Sequence, residues 1–415
     1  MARRDLPLRV ERIADARSHL LTLQRRTTLL GHRRRFSRCI VHLIILESHP
    51  GQDLEDSMTF REDNAEFEDW LRKRCLLNGC DVVEADIEYK HDQMASDSFA
   101  FLRATFFRWA KRIETLLPEL AEAPSVLSVG DTHLENFGTW RDSESRLVWG
   151  VNDFDEAAAI PYPFDLVRLA ASIRLADEPG VSNQEAAAAI VEGYARGLAA
   201  PRPTLLDEQE TWMRAYVGVS DKKREKFWKK LDDLPATDAP APVVAGLQKS
   251  IPYGAPISKI APVQKGMGSL GRPRFVGLAM WRGGRVAREA KALVPSAWEW
   301  AHARDQASSR FLELSRGQFR SPDPWLDIHN GFVCRRIAAD SRKVNLKDDD
   351  DQMELHINLF NAMGFDLGAI HAADQRAEAV KVHLDDLTDG WLHAAAEAAA
   401  ADVECDFESW TRSCE

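Results

Sequence analysis

The chain has 415 residues, 45% hydrophobic and 29% charged, a balance that suits a folded globular protein with two domains or one large two-lobed domain. Its net charge of −11 argues against a nucleic-acid-binding body, because a phosphate polyanion would be repelled outside local basic patches. The six cysteines (39, 75, 80, 334, 405 and 414) show neither a CxxC nor a metal-ligand spacing and read as reduced thiols of a cytoplasmic protein, and no apolar run approaches the length of a membrane span.

Residues 1–38 contain eleven Arg, no Lys and three acids, and the apolar run 39–46 is far too short to cross a bilayer. Residues 1–57 are therefore expected to be a basic extension: a targeting or disordered segment, or sequence upstream of a native start at Met58. An RNA-binding arm is the alternative. Phe67, Trp70 and Leu71 predict a helix over 66–77. Phe101, Leu102, Phe106, Trp109, Ile113 and Leu116 share one face of a longer helix over 98–120, which carries Arg103.

Two polar clusters follow. Residues 130–136 read Gly-Asp-Thr-His-Leu-Glu-Asn, and residues 152–156 read Asn-Asp-Phe-Asp-Glu. Between them 146–151 predicts a short buried strand of a hairpin, so each cluster lies at a strand mouth, where loops carry chemistry. Polar turns would explain Asp and Asn here as well. Hard oxygen donors of this kind also suit Mg²⁺, which takes one or two carboxylates and completes its octahedron with water and phosphate oxygens. Asp131, then Asn136 five residues on, then Asp153 after a hairpin, is the order in which kinases place a base and two metal ligands. Period-two alternation puts Asp155 on the same side as Asp153. Asp165 opens an amphipathic helix through Leu166, Leu169, Ala170 and Ile173, which it can also cap.

Further helices are predicted over 184–199 and 207–233, and the Pro-rich 235–242 is a linker signal that places a boundary near 235–250. Residues 260–293 read as strand, glycine turn, strand, tight turn, strand. The glycine turn holds Gly266, Gly268, Ser269 and Gly271. A dinucleotide-binding fingerprint needs a helix straight after its glycines, and here a strand follows. Bare backbone joining two strands can close over nucleotide phosphates, and Lys291, on the third strand, can reach two phosphates at once. Glu299 opens the next helix and is a candidate ion-pair partner for Lys291. Residues 331–337, with Arg336, predict a strand that leads into a hinge; 348–351 read as a solvated acidic loop, and 355–373 as a helix ending in Leu-Gly-Ala-Ile-His-Ala.

GDTHLENFG, VNDFDEA, PYPFDLVRLAAS and the Lys291–Pro295–Ser296 spacing resemble the bacterial domain-of-unknown-function family 2252, over roughly residues 88–415. That family in turn resembles the aminoglycoside phosphotransferase and choline kinase branch of the protein-kinase-like fold. The resemblance implies an α+β, two-lobed, kinase-like fold with a bound ATP and Mg²⁺. It implies catalytic Asp131, His133 and Asn136, with His133 bracing the loop. Asn136, Asp153 and Asp155 would hold metal. Gly266, Gly268, Ser269, Gly271 and Lys291 would hold the nucleotide, and Asp165 would bond the catalytic-loop backbone. The glycine string and lysine come after the catalytic Asp, so the fold would be circularly permuted, which is physically cheap where termini lie close at the surface. The expected layout is a basic extension (1–57), a helical lobe with the catalytic loops (58–247), a β-rich nucleotide lobe (248–345) and C-terminal helices returning to the helical lobe (346–415).

The implied activity is phosphoryl transfer from ATP to an unidentified hydroxyl, on a small molecule or a protein. The alternatives are a nucleotide-binding regulator without catalysis and a metallophosphoesterase. The latter draws on Asp131-x-His133 but lacks the Gly-Asn-His string that such enzymes need.

Overall fold

Residue choice at the ends of each element sets where helices and strands begin. Thr59 starts the helix Phe60–Leu77 with a capping box, its hydroxyl accepting from Glu62 N while the Glu62 carboxylate accepts from Thr59 N. Ser182 and Glu185 repeat the device at the helix Asn183–Ala199. These elements come from a computed structural model that describes residues 59–176, 181–304, 307–342 and 353–412. The basic extension 1–57 and the acidic run 348–351 lie outside the described residues. Met58–Glu415 forms one compact unit.

Among the described residues the architecture is α+β, with three antiparallel sheets. β1 (Ser125–Ser128) pairs with β4 (Ala158–Pro161). β2 (Phe137–Arg141), β3 (Leu147–Val151) and β5 (Thr204–Leu205) form a second sheet. β6 (Ile257–Pro262), β7 (Arg274–Trp281), β8 (Gly284–Ala292), β9 (Asp327–His329) and β10 (Phe332–Arg336) form a third, in the order β6-β7-β8-β10-β9. The β2–β3 register runs from Phe137 opposite Val151 to Arg141 opposite Leu147. Residues just before β2 and just after β3 therefore emerge side by side, which brings 131–136 next to 152–156. In the third sheet, β7 and β8 place Arg274 opposite Lys291.

Two predicted helices are broken. The segment 98–120 divides at Thr105, whose backbone leaves the helical region (φ −122°, ψ 35°) and whose hydroxyl donates to Phe101 O at 2.7 Å. A threonine that bonds back to the preceding turn competes with the helix ladder. The result is Ser98–Ala104 followed by a separate helix, Phe106–Leu116. The segment 207–233 contains a short turn at Thr211–Met213, one turn at Arg214–Val217, and then the helix Asp221–Asp233, capped by Ser220. Gly218 and Ser220 end the first part, because their backbones take extended ψ values.

The helices Met353–His371 and Asn183–Ala199 pack through two glycine pairs spaced four apart, Gly193 and Gly197 on one and Gly364 and Gly368 on the other. A Cβ on Gly193 or Gly197 would overlap the carbonyl of Asn361 or Phe365; one on Gly364 or Gly368 would overlap that of Ile190 or Tyr194. Replacing a helical glycine by alanine ordinarily gains about 0.5–1 kcal/mol. Here the sign reverses: Gly197→Ala is expected to destabilise by about 1–3 kcal/mol, the usual cost of overpacking, read as a lowered urea midpoint. An unchanged or raised midpoint would mean that the two backbones can separate at no cost.

Candidate active site

The loop after β1 is held from below. The Asp165 carboxylate, 1% exposed, accepts from Val129 N and Gly130 N, both at 2.8 Å, while its backbone O accepts from the Thr132 hydroxyl at 2.6 Å. His371, at the end of the helix Met353–His371, sits with Nε2 3.2 Å from the same carboxylate, and its Nδ1 meets the Tyr194 hydroxyl at 2.8 Å. Three separated helices thus fix one loop.

On that loop, Arg168 donates from Nε and Nη2 to Asp131 Oδ1, at 2.8 and 2.6 Å. The Arg168 guanidinium lies 5.0 Å from the rings of both Phe106 and Trp109. Burial pushes the Asp131 carboxyl above its ordinary range, against the pull of Arg168. Its second oxygen, Oδ2, lies 4.0 Å from His133 Nε2. His133 Nδ1 accepts from Glu135 N at 3.1 Å and so caps the turn Leu134–Asn136.

Asn136 straps the two polar clusters together. Its Nδ2 donates to Asp131 O at 3.0 Å and to Asp153 O at 3.2 Å, while its Oδ1 is buried with no hydrogen-bond donor among the described residues. Asp155 Oδ1 is likewise buried and unpartnered. Lys291, 2% exposed, reaches both Asp153 oxygens at 3.0 Å and Asp155 Oδ2 at 2.6 Å. Burial alone would raise the Asp153 carboxyl; the charge of Lys291, with Arg335 and Arg274, outweighs it and holds the carboxyl well below the usual range. Asp155 is pushed upward by burial and then by the Asp153 charge.

The turn between β6 and β7 lies over these groups. A Cβ on Gly268 would stand 3.1 Å from Asp131 Oδ2 and 3.0 Å from Arg103 O, so a side chain there would fit only if these neighbours gave way. Gly266 and Gly271 bracket the turn with φ of 85° and 91°. The Ser269 hydroxyl accepts from Arg274 Nη2 at 2.7 Å. Asp131, His133, Asn136, Asp153, Asp155, Gly266, Gly268 and Ser269 all line one cleft of about 690 Å³. Lys291 stands behind its acids.

Sequence reasoning missed several contributors. Arg272 bridges Asp155 at 3.0 Å and Glu156 at 2.8 Å. The Glu156 carboxylate also accepts from Ala297 N at 2.6 Å and from the Ser296 hydroxyl at 3.1 Å, which explains the Pro-Ser step after Lys291. Arg335, and not Arg336, reaches the centre: it donates to Asn152 O at 3.1 Å and to Glu289 at 2.9 Å. Arg336 instead donates to Arg141 O at 2.8 Å, tying β10 to β2. Glu299 pairs with Arg304 at 3.3 Å, not with Lys291. The short helix Ala297–Ala301 turns Glu299 toward its own C-terminal end, and the lysine is already held by two acids. Arg168 lies within the quoted PFDLVRLA string and could have been found there.

Among the described residues no group of three or more His, Cys, Asp or Glu could by itself hold a metal, and no helix is long and apolar enough to cross a membrane. Of the cysteines there, Cys75, Cys80 and Cys334 are free thiols.

Residues 82–229 match the family model described as an uncharacterized protein conserved in bacteria (DUF2252). This segment is similar to the DUF2252 family. It contains Asp131, Asn136, Asp153, Asp155, Asp165 and Arg168, and it ends before the glycine turn and Lys291. Neither a curated protein nor a solved structure matches the chain.

Asp165→Ala should leave the buried amides of Val129 and Gly130 without acceptors, at about 1–3 kcal/mol each. The expected result is a lower melting temperature together with faster amide exchange at Val129 and Gly130. A melting temperature like that of the wild type would mean that the loop is held by other contacts.

Proposed function

We propose that this protein is an ATP- and Mg²⁺-dependent phosphotransferase of kinase-like, circularly permuted fold, acting on a hydroxyl acceptor. The observation that carries the reading is the convergence of Asn136, Asp153 and Asp155 with Lys291 beneath a glycine turn. Two of these side chains hold a buried oxygen, Asn136 Oδ1 and Asp155 Oδ1, with no partner among the described residues. A buried acceptor with no donor is costly, and hard oxygen donors of this type suit Mg²⁺. Asn136, Asp153 and Asp155 are the residues that would hold the ion, which when bound neutralises phosphate charge.

The remaining parts fit phosphoryl transfer, where catalysis is mostly positioning and charge stabilisation. Lys291 is on the third strand of a five-stranded sheet and the glycine turn joins the first two, which is where protein kinases carry both. Phe227, Leu231, Val263, Val276, Leu326 and Ile337 give the cleft an apolar end that a base can enter. Asp131 Oδ2 faces the cleft with Oδ1 pinned by Arg168, so one oxygen is oriented to accept the hydroxyl proton. His133 and Asn136 brace that loop.

One observation favours a second reading, a nucleotide-binding regulator without transfer activity. Both Arg168 donors hold Asp131 Oδ1 in a buried ion pair, which gives that carboxylate a structural role that needs no proton transfer.

Release of ADP from ATP, together with thermal shift by ATP and Mg²⁺, tests the assignment. Asp153→Asn should raise the Mg²⁺ concentration needed for nucleotide binding. Asp131→Asn should keep Mg²⁺–nucleotide binding and slow transfer by about 10² to 10⁴. If Asp131→Asn leaves the rate unchanged while nucleotide still binds, the regulator reading stands. If neither substitution alters binding or hydrolysis, the phosphotransferase reading fails.

A further inference from the structure

The charge of the cleft is the reverse of the charge of the chain. Lysine and arginine outnumber aspartate and glutamate along its walls, although the net charge of the chain is −11. The carboxylates of the cleft are all matched: Asp131 by Arg168, Glu135 by Arg103, Asp153 and Asp155 by Lys291, Glu156 by Arg272, Glu289 by Arg274 and Arg335, and Asp323 by Arg336. Lys223, Lys226 and Lys230 have no carboxylate partner among the described residues. All three line the cleft and all three are exposed.

These lysines come from the helix Asp221–Asp233 at positions i, i+3 and i+7, one face of a helix, and span about 10 Å at 1.5 Å per residue. The helix itself is firmly seated. Leu231 is buried against Val276, Leu278 and Ala287 of the third sheet, with Phe227 and Trp228 packed beside it. Lys259 Nζ donates to the backbone oxygens of Leu231 at 3.2 Å and Asp232 at 2.7 Å. Arg285 pairs with Asp232 and stacks 4.3 Å from the Trp228 ring. A rigid element therefore presents a row of uncompensated cations to the cleft, which focuses the field there and draws in anions.

We infer that the Lys223–Lys226–Lys230 face binds an anionic group of the acceptor, so that the hydroxyl compound phosphorylated by this protein already carries a phosphate or carboxylate. This inference rests on the phosphotransferase reading, since it assigns the second substrate of the same cleft. It excludes amine-bearing acceptors of the aminoglycoside or choline type, which the lysine row would repel.

The test uses the full chain, the variant Lys223→Gln/Lys226→Gln/Lys230→Gln and the matched triple Lys→Arg variant. Thermal shift with Mg²⁺ and a non-hydrolysable ATP analogue is measured first; all three proteins should respond alike. With that analogue saturating, inorganic phosphate is titrated against chloride at equal ionic strength. The wild type and the Arg variant should be stabilised by phosphate, and the Gln variant should bind it about tenfold more weakly or worse. An ADP-release assay with glycerol, glycerol 3-phosphate, glycerate and choline forms the second arm. Preference for glycerol 3-phosphate identifies phosphate as the recognised group, and preference for glycerate identifies carboxylate. Equal phosphate binding by the wild type and the Gln variant overturns the inference, as does turnover of choline above the anionic compounds. Loss of the nucleotide response in the Gln variant alone also overturns it, because the lysines would then belong to the nucleotide. If none of the three proteins responds to nucleotide, the phosphotransferase reading fails, and the phosphate titration without nucleotide still decides whether the lysine face is an anion site.

Discussion

The site depends on one buried carboxylate. Asp165 accepts two backbone amides of the loop after β1 and lies against His371, and its own carbonyl accepts from Thr132. His371 is in turn joined to Tyr194, whose ring stacks on Tyr162 at 5.6 Å with the planes 6° apart. Burying a carboxylate is costly unless its oxygens find donors, and here the donors are the backbone that must be held still. Asp131 and Asn136 inherit their positions from this arrangement. The four close-packed glycines let the helix Met353–His371 come near enough for His371 to take part.

Electrostatics in the cleft follow from pairing more than from composition. Lys291 is shared by Asp153 and Asp155, Arg272 by Asp155 and Glu156, and Glu289 by Arg274 and Arg335. Such buried pairs gain little net stability, because desolvation offsets attraction, yet removing one member strands the other. The network therefore constrains geometry more than it adds stability. It ties the loop after β3 to the glycine turn and to β8 and β10 at once.

Much of the fold was legible. The β2–β3 hairpin, the β6–β7–β8 meander and the helix ending in His371 are marked by glycines, β-branched residues and clear periodicity. Asp131, Asn136 and Asp153 could be picked out because acids and an amide at strand mouths have few other uses in that order. The breaks at Thr105 and Gly218 were not legible, since one back-bonding hydroxyl or one glycine changes local propensity by less than a good apolar face adds. Arg272 and Arg335 escaped for a different reason. A long cationic side chain looks the same in sequence whether it reaches water or a distant carboxylate, such as Glu289, 46 residues from Arg335, or Asp155, 117 residues from Arg272. Glu299 shows the converse: its nearness in sequence to Lys291 suggested a pair that the path of the short helix does not allow.

The bond between Asp165 and His371 closes a loop of 206 residues. Contacts of such separation form late, because the chain entropy they restrict must be overcome before they contribute. On the ribosome, the DUF2252 segment emerges long before residue 371. The loop after β1 is thus made early and stiffened late, so a partly synthesised chain holds the acids of the cleft without the brace that fixes them. The brace is complete only when the helix Met353–His371 docks on the helix Asn183–Ala199.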